Sequence, residues 1–116
     1  MALQSELFKG DPLFENCLVR DAAHIAPGSR GDHIAKIHFA LIVLDRFFPA
    51  KAELDQVTYG ASTASGVLAY KRRRRIVNFG YQTQADNIVG KMTIAAMDAE
   101  MFVVESRFRA SQSLRR

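Results

Sequence analysis

The chain has 116 residues, 48% of them hydrophobic, a formal net charge of +4 and a single cysteine. That is enough for one modest core and too little for two domains of ordinary size. It excludes an intramolecular disulfide framework, and no apolar run reaches the roughly eighteen residues that a membrane span needs. The basic excess is local, concentrated in Lys71-Arg72-Arg73-Arg74-Arg75 and in Arg107, Arg109, Arg115 and Arg116, so any acidic partner would be met locally.

Taken in order, Met1–Gly10 is mixed in composition and is expected to be frayed or loosely docked. It lacks a basic region followed by an apolar core, so no secretion signal is recognisable, and work in the periplasm or cell envelope would require another export route. Asp11-Pro12 reads as an N-cap followed by proline at the first helical position, opening a short helix that buries Leu13, Phe14, Cys17 and Leu18. Cys17, set among apolar neighbours, reads as a buried structural thiol before a reactive one. Pro27-Gly28-Ser29-Arg30-Gly31 is a turn by composition.

Asp32 is then the expected N-cap of the main helix, which runs to about Phe48 and is stopped by Pro49. Its stripe is Ile34, Ile37, Leu41, Leu44 and Phe48, and Phe39, Ile42, Val43 and Phe47 widen the apolar surface, which makes this the central helix. Ala50–Tyr59 is a connection with room for one helical turn around Ala52-Glu53-Leu54. The next helix opens at Gly60-x-x-Thr63 and turns Ala64, Val67, Leu68 and Tyr70 inward. Five consecutive cations stepped by about 100° would point to every side of a helix, so Lys71–Arg75 is expected to mark its exposed end. Ile76–Ala85 is a second connection, with Ile76, Val77, Phe79 and Tyr81 as anchors. A second Gly90-x-x-Thr93 unit, 30 residues after the first, launches the last helix with the seam Ile94, Met97, Met101, Val104 and Phe108. Ser111–Arg116 is expected to fray. In both units Gly is expected to free the backbone for a sharp turn and Thr to satisfy an orphan amide at the helix start.

The fold expected is all-α: a small three-helix bundle with a duplicated loop-helix motif and a short extra N-terminal helix. It divides into an extension over residues 1–26, the bundle over 27–110 and a basic tail over 111–116.

Three elements in order carry a resemblance. They are Gly28-Ser29-Arg30-Gly31-Asp32-His33-Ile34-Ala35-Lys36-Ile37-His38 with Ala40-Leu41, then Tyr59-Gly60 with Thr63, then Asp86-Asn87-Ile88-Val89-Gly90 with Thr93. Together they resemble the peptidoglycan-binding-like domain of bacteria, a three-helix bundle with two loops of the form Asp-Gly-x-aromatic/Val-Gly-x-x-Thr. The resemblance implies a non-catalytic module that contacts cell-wall glycan or stem peptide. The chain departs from the pattern at His38 and Lys71, where glutamines are usual, and at Gln56-Val57, which replace the Asp-Gly of the first loop.

Candidate ligand contacts are Tyr59, Tyr70 and Tyr81, whose rings could stack on sugar faces or serve as core edges, together with Asp86 and Asn87 in the second loop. Asp86 reads first as an Asx-type turn residue, and Gly28, Gly31, Gly60, Thr63, Gly90 and Thr93 read as structural turn residues. His33 and His38 lie about 140° apart on their helix, and with one cysteine in the chain no zinc site or other cofactor is expected. Catalysis is not expected either, since no nucleophile motif accompanies the Ser, His and Asp residues. The Lys71–Arg75 run reads as a solvated helix end, or as a contact for acidic wall polymer, acidic protein or nucleic-acid phosphate. Three function classes follow: a peptidoglycan-binding module, read as a domain of a larger exported or secretion-system protein; a protein-interaction adaptor on the same scaffold, using the arginines and the last helix; and, weakest, a nucleic-acid binder.

Overall fold

The computed structural model describes residues 3–20, 25–76 and 86–114. Among them the chain forms five helices: α1 (Pro12–Val19), α2 (Asp32–Asp45), α3 (Lys51–Gln56), α4 (Ala61–Arg74) and α5 (Lys91–Leu114). No strand occurs among the described residues, so the chain is all-α as its periodicity predicts. α1 lies against α5, and α2 lies against both α4 and α5.

The core is one cluster to which every helix except α3 contributes. Ile34, Ile37 and Leu41 of α2, Val67 and Tyr70 of α4, and Ile94, Met97 and Met101 of α5 meet Phe14 and Cys17 of α1. Each such large side chain withdrawn from water contributes about 1.5–3 kcal/mol before entropy is set against it. Burial pushes the Cys17 thiol up to about 11, so it is held as an unreactive thiol. Leu13, expected inside, is 48% exposed, because α1 shows the core only the face that carries Phe14 and Cys17.

The amino-terminal segment is not frayed. Leu3, Ser5 and Phe8 are buried, and Phe8 meets Phe14 edge-on at 4.9 Å. The segment lies on α5 because two carboxylates receive its amides. Asp98 accepts from Gln4 and Ser5, and Glu105 accepts from Glu6 and Leu7 at 2.8 and 3.1 Å. Four backbone donors that would otherwise stay unsatisfied on docking are thereby paired.

α2 begins and ends differently from its expected bounds. Its N-cap is Gly31, at φ 123° and ψ −175°, a conformation open almost only to glycine, so Asp32 becomes the first helical residue and serves the dipole. It ends at Asp45 because Arg46 turns left-handed (φ 53°) and the Phe47 amide donates back to the Leu41 carbonyl. Phe48, assigned to the core stripe, is therefore 69% exposed, while Phe47 swings onto α4. Its ring lies where a Cβ on Gly66 would approach within 2.5 Å, which is why a glycine is accommodated in mid-helix. At the other end of the chain α5 stays helical through Leu114, where fraying from Ser111 was expected.

Candidate functional site

The segment 25–31 holds both glycine loops. Ile25 exchanges two backbone hydrogen bonds with Val89 just before Gly90, while Gly28 donates to Tyr59, Tyr59 to Ser29 and Gly31 to Val57 beside Gly60. Gly28 takes φ 99° to make this turn. The Tyr59 hydroxyl spans the two loops by donating to the Asn87 carbonyl. Tyr59 is 1% exposed and Tyr70 0%, so neither ring offers a face on which a sugar could stack. Burial, together with the Asp86 charge, raises the Tyr59 phenol well above its usual range. Tyr81 lies outside the described residues.

Thr63 and Thr93 occupy the third position of their helices and are buried, so neither is the capping residue. The start of α4 is capped instead by Glu53, ten residues upstream of Thr63. Its carboxylate accepts the amides of Gly60, Ser62 and Thr63 at 2.9–3.0 Å and the Thr63 hydroxyl at 2.7 Å. Burial acts to raise this carboxyl, but the bonds from Thr63 and Ser62 outweigh it and hold it down at about 2. Gly60 has an ordinary extended backbone. Its glycine is needed for space, since a Cβ there would come within 2.6 Å of the Glu53 carboxyl carbon.

His38 of α2 joins this network. Its Nε2 lies 2.8 Å from Thr63 Oγ1 and 3.1 Å from the Thr58 carbonyl. A carbonyl can only accept, so Nε2 carries the proton, and the Thr63 hydroxyl donates to Glu53. A nucleophile would need the histidine to take its proton; here the polarity runs the other way, and the trio is a helix-crossing clamp. Burial lowers the His38 pKa against the opposing pull of the Thr58 bond and the Glu53 charge. Among the described residues no group of three or more His, Cys, Asp or Glu could hold a metal ion.

The second loop is similarly engaged. Asp86 accepts from the Ile88 amide at 3.1 Å, an Asx-type turn, and pairs with Lys71, whose ammonium also donates to the Ile88 carbonyl at 2.8 Å. Lys71 is 5% exposed, so it leaves the basic patch to which the sequence assigned it. Arg74 leaves it too. Its guanidinium grips Glu100 of α5 through Nε and Nη2 at 2.6 and 2.7 Å and Asp45 of α2 at 2.9 Å, and it stacks on the Tyr70 ring at 3.6 Å. The Tyr70 hydroxyl donates to Glu100 at 2.8 Å. Burial would raise Glu100, yet Arg74 and Tyr70 hold it below the usual carboxylate range. What stays exposed of the run is Arg72, Arg73 and Arg75, with Asn87 exposed in the second loop.

An open surface lies elsewhere. Between the amino-terminal segment, α2 and the distal half of α5 runs a groove of about 540 Å³, floored by Leu7, Phe39, Val43, Met101, Val104 and Phe108 and rimmed by Glu6, Glu105 and Arg109. It exists because the elements differ in length. α2 has 14 residues and α5 has 24, about 21 and 36 Å of helix, so the α5 seam outruns its cover. Met101 is 2% exposed, Val104 37% and Phe108 63%. The seam was legible in the sequence; that its last third would be open needed the end of α2 at Asp45. Glu53, Asp98 and Glu105 carried no signal, since an acidic residue that caps a distant segment looks like any other exposed acid.

No helix among the described residues is long and apolar enough to cross a membrane. Comparison of the chain with protein-family models, with curated proteins and with solved structures returned no match to any of them.

Proposed function

We infer that the chain is a non-catalytic protein-docking module, in which a scaffold similar to that of peptidoglycan-binding-like domains presents an apolar groove to a helical partner. The observation that carries this is the groove itself: Phe39 and Phe108 are 51% and 63% exposed on one concave surface, the kind of contiguous apolar patch that marks interaction sites. The scaffold part of the proposal, a three-helix bundle with a duplicated loop-helix unit, is supported by α2, α4 and α5 sharing the core. It is further supported by Gly60 and Gly90 each immediately preceding a helix whose third residue is a buried Thr. Absence of catalysis is supported by the polarity of the His38–Thr63–Glu53 trio, in which His38 donates rather than accepts and the Thr63 hydroxyl is spent on a carboxylate held down at about 2. The test is affinity purification from the source cell with wild type and a Val43→Glu variant. One stoichiometric partner bound by the first and released by the second is expected; a partner retained by the folded variant refutes the groove.

A second reading, binding of peptidoglycan stem peptide, is favoured by one observation: the exposed Asn87 in the loop that keeps Asp86, together with three exposed arginines, Arg72, Arg73 (3.9 Å from Asp45) and Arg75, suited to carboxylates. Co-sedimentation with purified sacculi at low salt, lost on reversing those three charges, would move the proposal to this ligand. Absence of co-sedimentation at low salt would remove it.

A further inference from the structure

We propose that the face shared by the turn after α2 and the outer side of α4 docks on an anionic lipid bilayer. Phe48 enters the headgroup region, and Arg46, Arg72, Arg73 and Arg75 meet lipid phosphates around it. The proposal is independent of the groove.

The backbone places these residues on one face. The turn after α2 runs along α4, with Phe47 over Gly66 and the Ala50 amide donating to the Ser62 hydroxyl at 2.8 Å. The Phe47 amide is tied to the Leu41 carbonyl and Pro49 is buried, so the turn is pinned on both sides of Phe48. Its ring is nonetheless 69% exposed, the highest fraction among the exposed large apolar side chains of the described residues. Seven residues make nearly two full helical turns, so Arg73 continues the row of Gly66, on which the turn lies, and Arg72 continues that of the exposed Ser65. Arg46 follows Asp45, which lies 3.9 Å from Arg73, and Arg75 closes α4.

The acids beside this face are already engaged. Arg74 holds Asp45 at 2.9 Å, and Asp55 pairs with Lys51 at 2.7 Å. Arg46, Arg72 and Arg75 are exposed and form no ion pair among the described residues. An apolar ring held outward among such cations combines insertion with attraction to anionic headgroups, the two contributions from which reversible membrane association is built. The arginines select lipid over other polyanions because no partner fixes their positions. Lipid headgroups diffuse in the bilayer plane and gather wherever a cation sits, whereas a folded acidic surface presents its charges at fixed spacing and rewards guanidinium forks set in advance. A nucleic-acid single strand would lay successive bases on several rings, and this face offers one.

Co-sedimentation of the full chain with phosphatidylcholine vesicles, with and without an equal part of phosphatidylglycerol, tests this. Binding is expected to the mixed vesicles at low salt, and neither to phosphatidylcholine alone nor at about 0.5 M salt, where the attraction is screened. Phe48→Ala should weaken it ~10-fold, and Arg72→Gln with Arg73→Gln together ~25-fold, with circular dichroism unchanged. Binding of peptidoglycan through the same arginines would fall with the second pair of changes but not with Phe48→Ala. No sedimentation with the mixed vesicles at low salt overturns the proposal. Vesicle binding indifferent to Phe48→Ala, or equalled by a single-stranded oligonucleotide, reduces the face to an unselective polyanion contact and equally overturns it.

Discussion

Replacing Glu53 by Gln should destabilise the protein by about 2 kcal/mol at pH 7, although the residue is neither in the core nor in the helix it supports. Its carboxylate receives three amides at the start of α4 and the Thr63 hydroxyl. A capping contact is worth roughly 0.5–2 kcal/mol and a hydrogen bond to a charged group about 1.5–3. The proton linkage gives an independent figure. A carboxyl that titrates at 4.5 when unfolded and at about 2 when folded has a ceiling of ~3.4 kcal/mol. Part of the group is in contact with water, which reduces this to about 2. The sign follows from the depression: the contribution is fully present above pH 4.5 and is lost as pH falls toward 2. Urea denaturation of wild type and Glu53→Gln across that range is the assay. The gap between them should be widest at neutral pH and close as the solution is acidified. A gap below about 0.5 kcal/mol at pH 7, or one that does not narrow in acid, would refute the assignment of Glu53 as the α4 cap.

Arg74→Ala should cost about 3 kcal/mol in the same assay, because it leaves Asp45, whose side chain is 5% exposed, with only the longer 3.9 Å pairing to Arg73 and takes the guanidinium from Glu100. Arg73→Ala, with its own side chain 66% exposed, should fall within about 0.5 kcal/mol of wild type; equal losses would contradict the division of the basic run. Tyr59→Phe removes the tie between the two loops and leaves the Asn87 carbonyl to water, for a loss of about 1 kcal/mol. A value near zero would mean that the loops are held by their backbone bonds alone. His38, followed by NMR, should titrate below its ordinary 6.5. The stability it contributes is then present above pH 6.5 and lost as pH falls through the folded-state value, and a midpoint above 6.5 would show that the ring is not the neutral Nε2–H donor described.

Helix placement was legible in the sequence because it depends on nearest neighbours. Pro12 after Asp11, the seams of α2 and α5, and the glycines at 60 and 90 all act within a turn or two of where they stand. Boundaries that depend on tertiary contact were not. Pro49 suggests a helix lasting to Phe48, whereas the chain stops at Asp45 to form a left-handed turn that lays Phe47 over Gly66. The glycine loops show the same limit. Their recurrence was visible, but what each Gly and Thr does was not, since Gly60 makes room for Glu53 and Thr63 donates to it. Tyr59 and Tyr70 do not offer the sugar-stacking faces expected of them for a related reason. A ring beside a loop reads the same in sequence whether its hydroxyl points to solvent or, as with Tyr59 and Tyr70, into a hydrogen bond that closes the core.

The basic run shows how helix geometry turns a composition signal into two separate properties. Residues 70, 71 and 74 fall on the inward side of α4 and 72 and 73 on the outward side, as the 3.6-residue repeat requires, while Arg75 is exposed in the left-handed turn that ends the helix. A buried lysine and a partly buried arginine are tolerated because Asp86, Asp45 and Glu100 arrive from three other elements to meet them. Those acids are thereby committed to the fold, as are Glu53, Asp98, Tyr59 and Tyr70, so these polar groups are engaged in holding helices together. The α5 seam is in the opposite condition, with apolar area built to core standard and left uncovered at Val104 and Phe108. Among the described residues every buried side-chain polar atom is partnered while Phe39 and Phe108 face one groove, so if the proposed docking function holds, variants in that groove should separate folding from function.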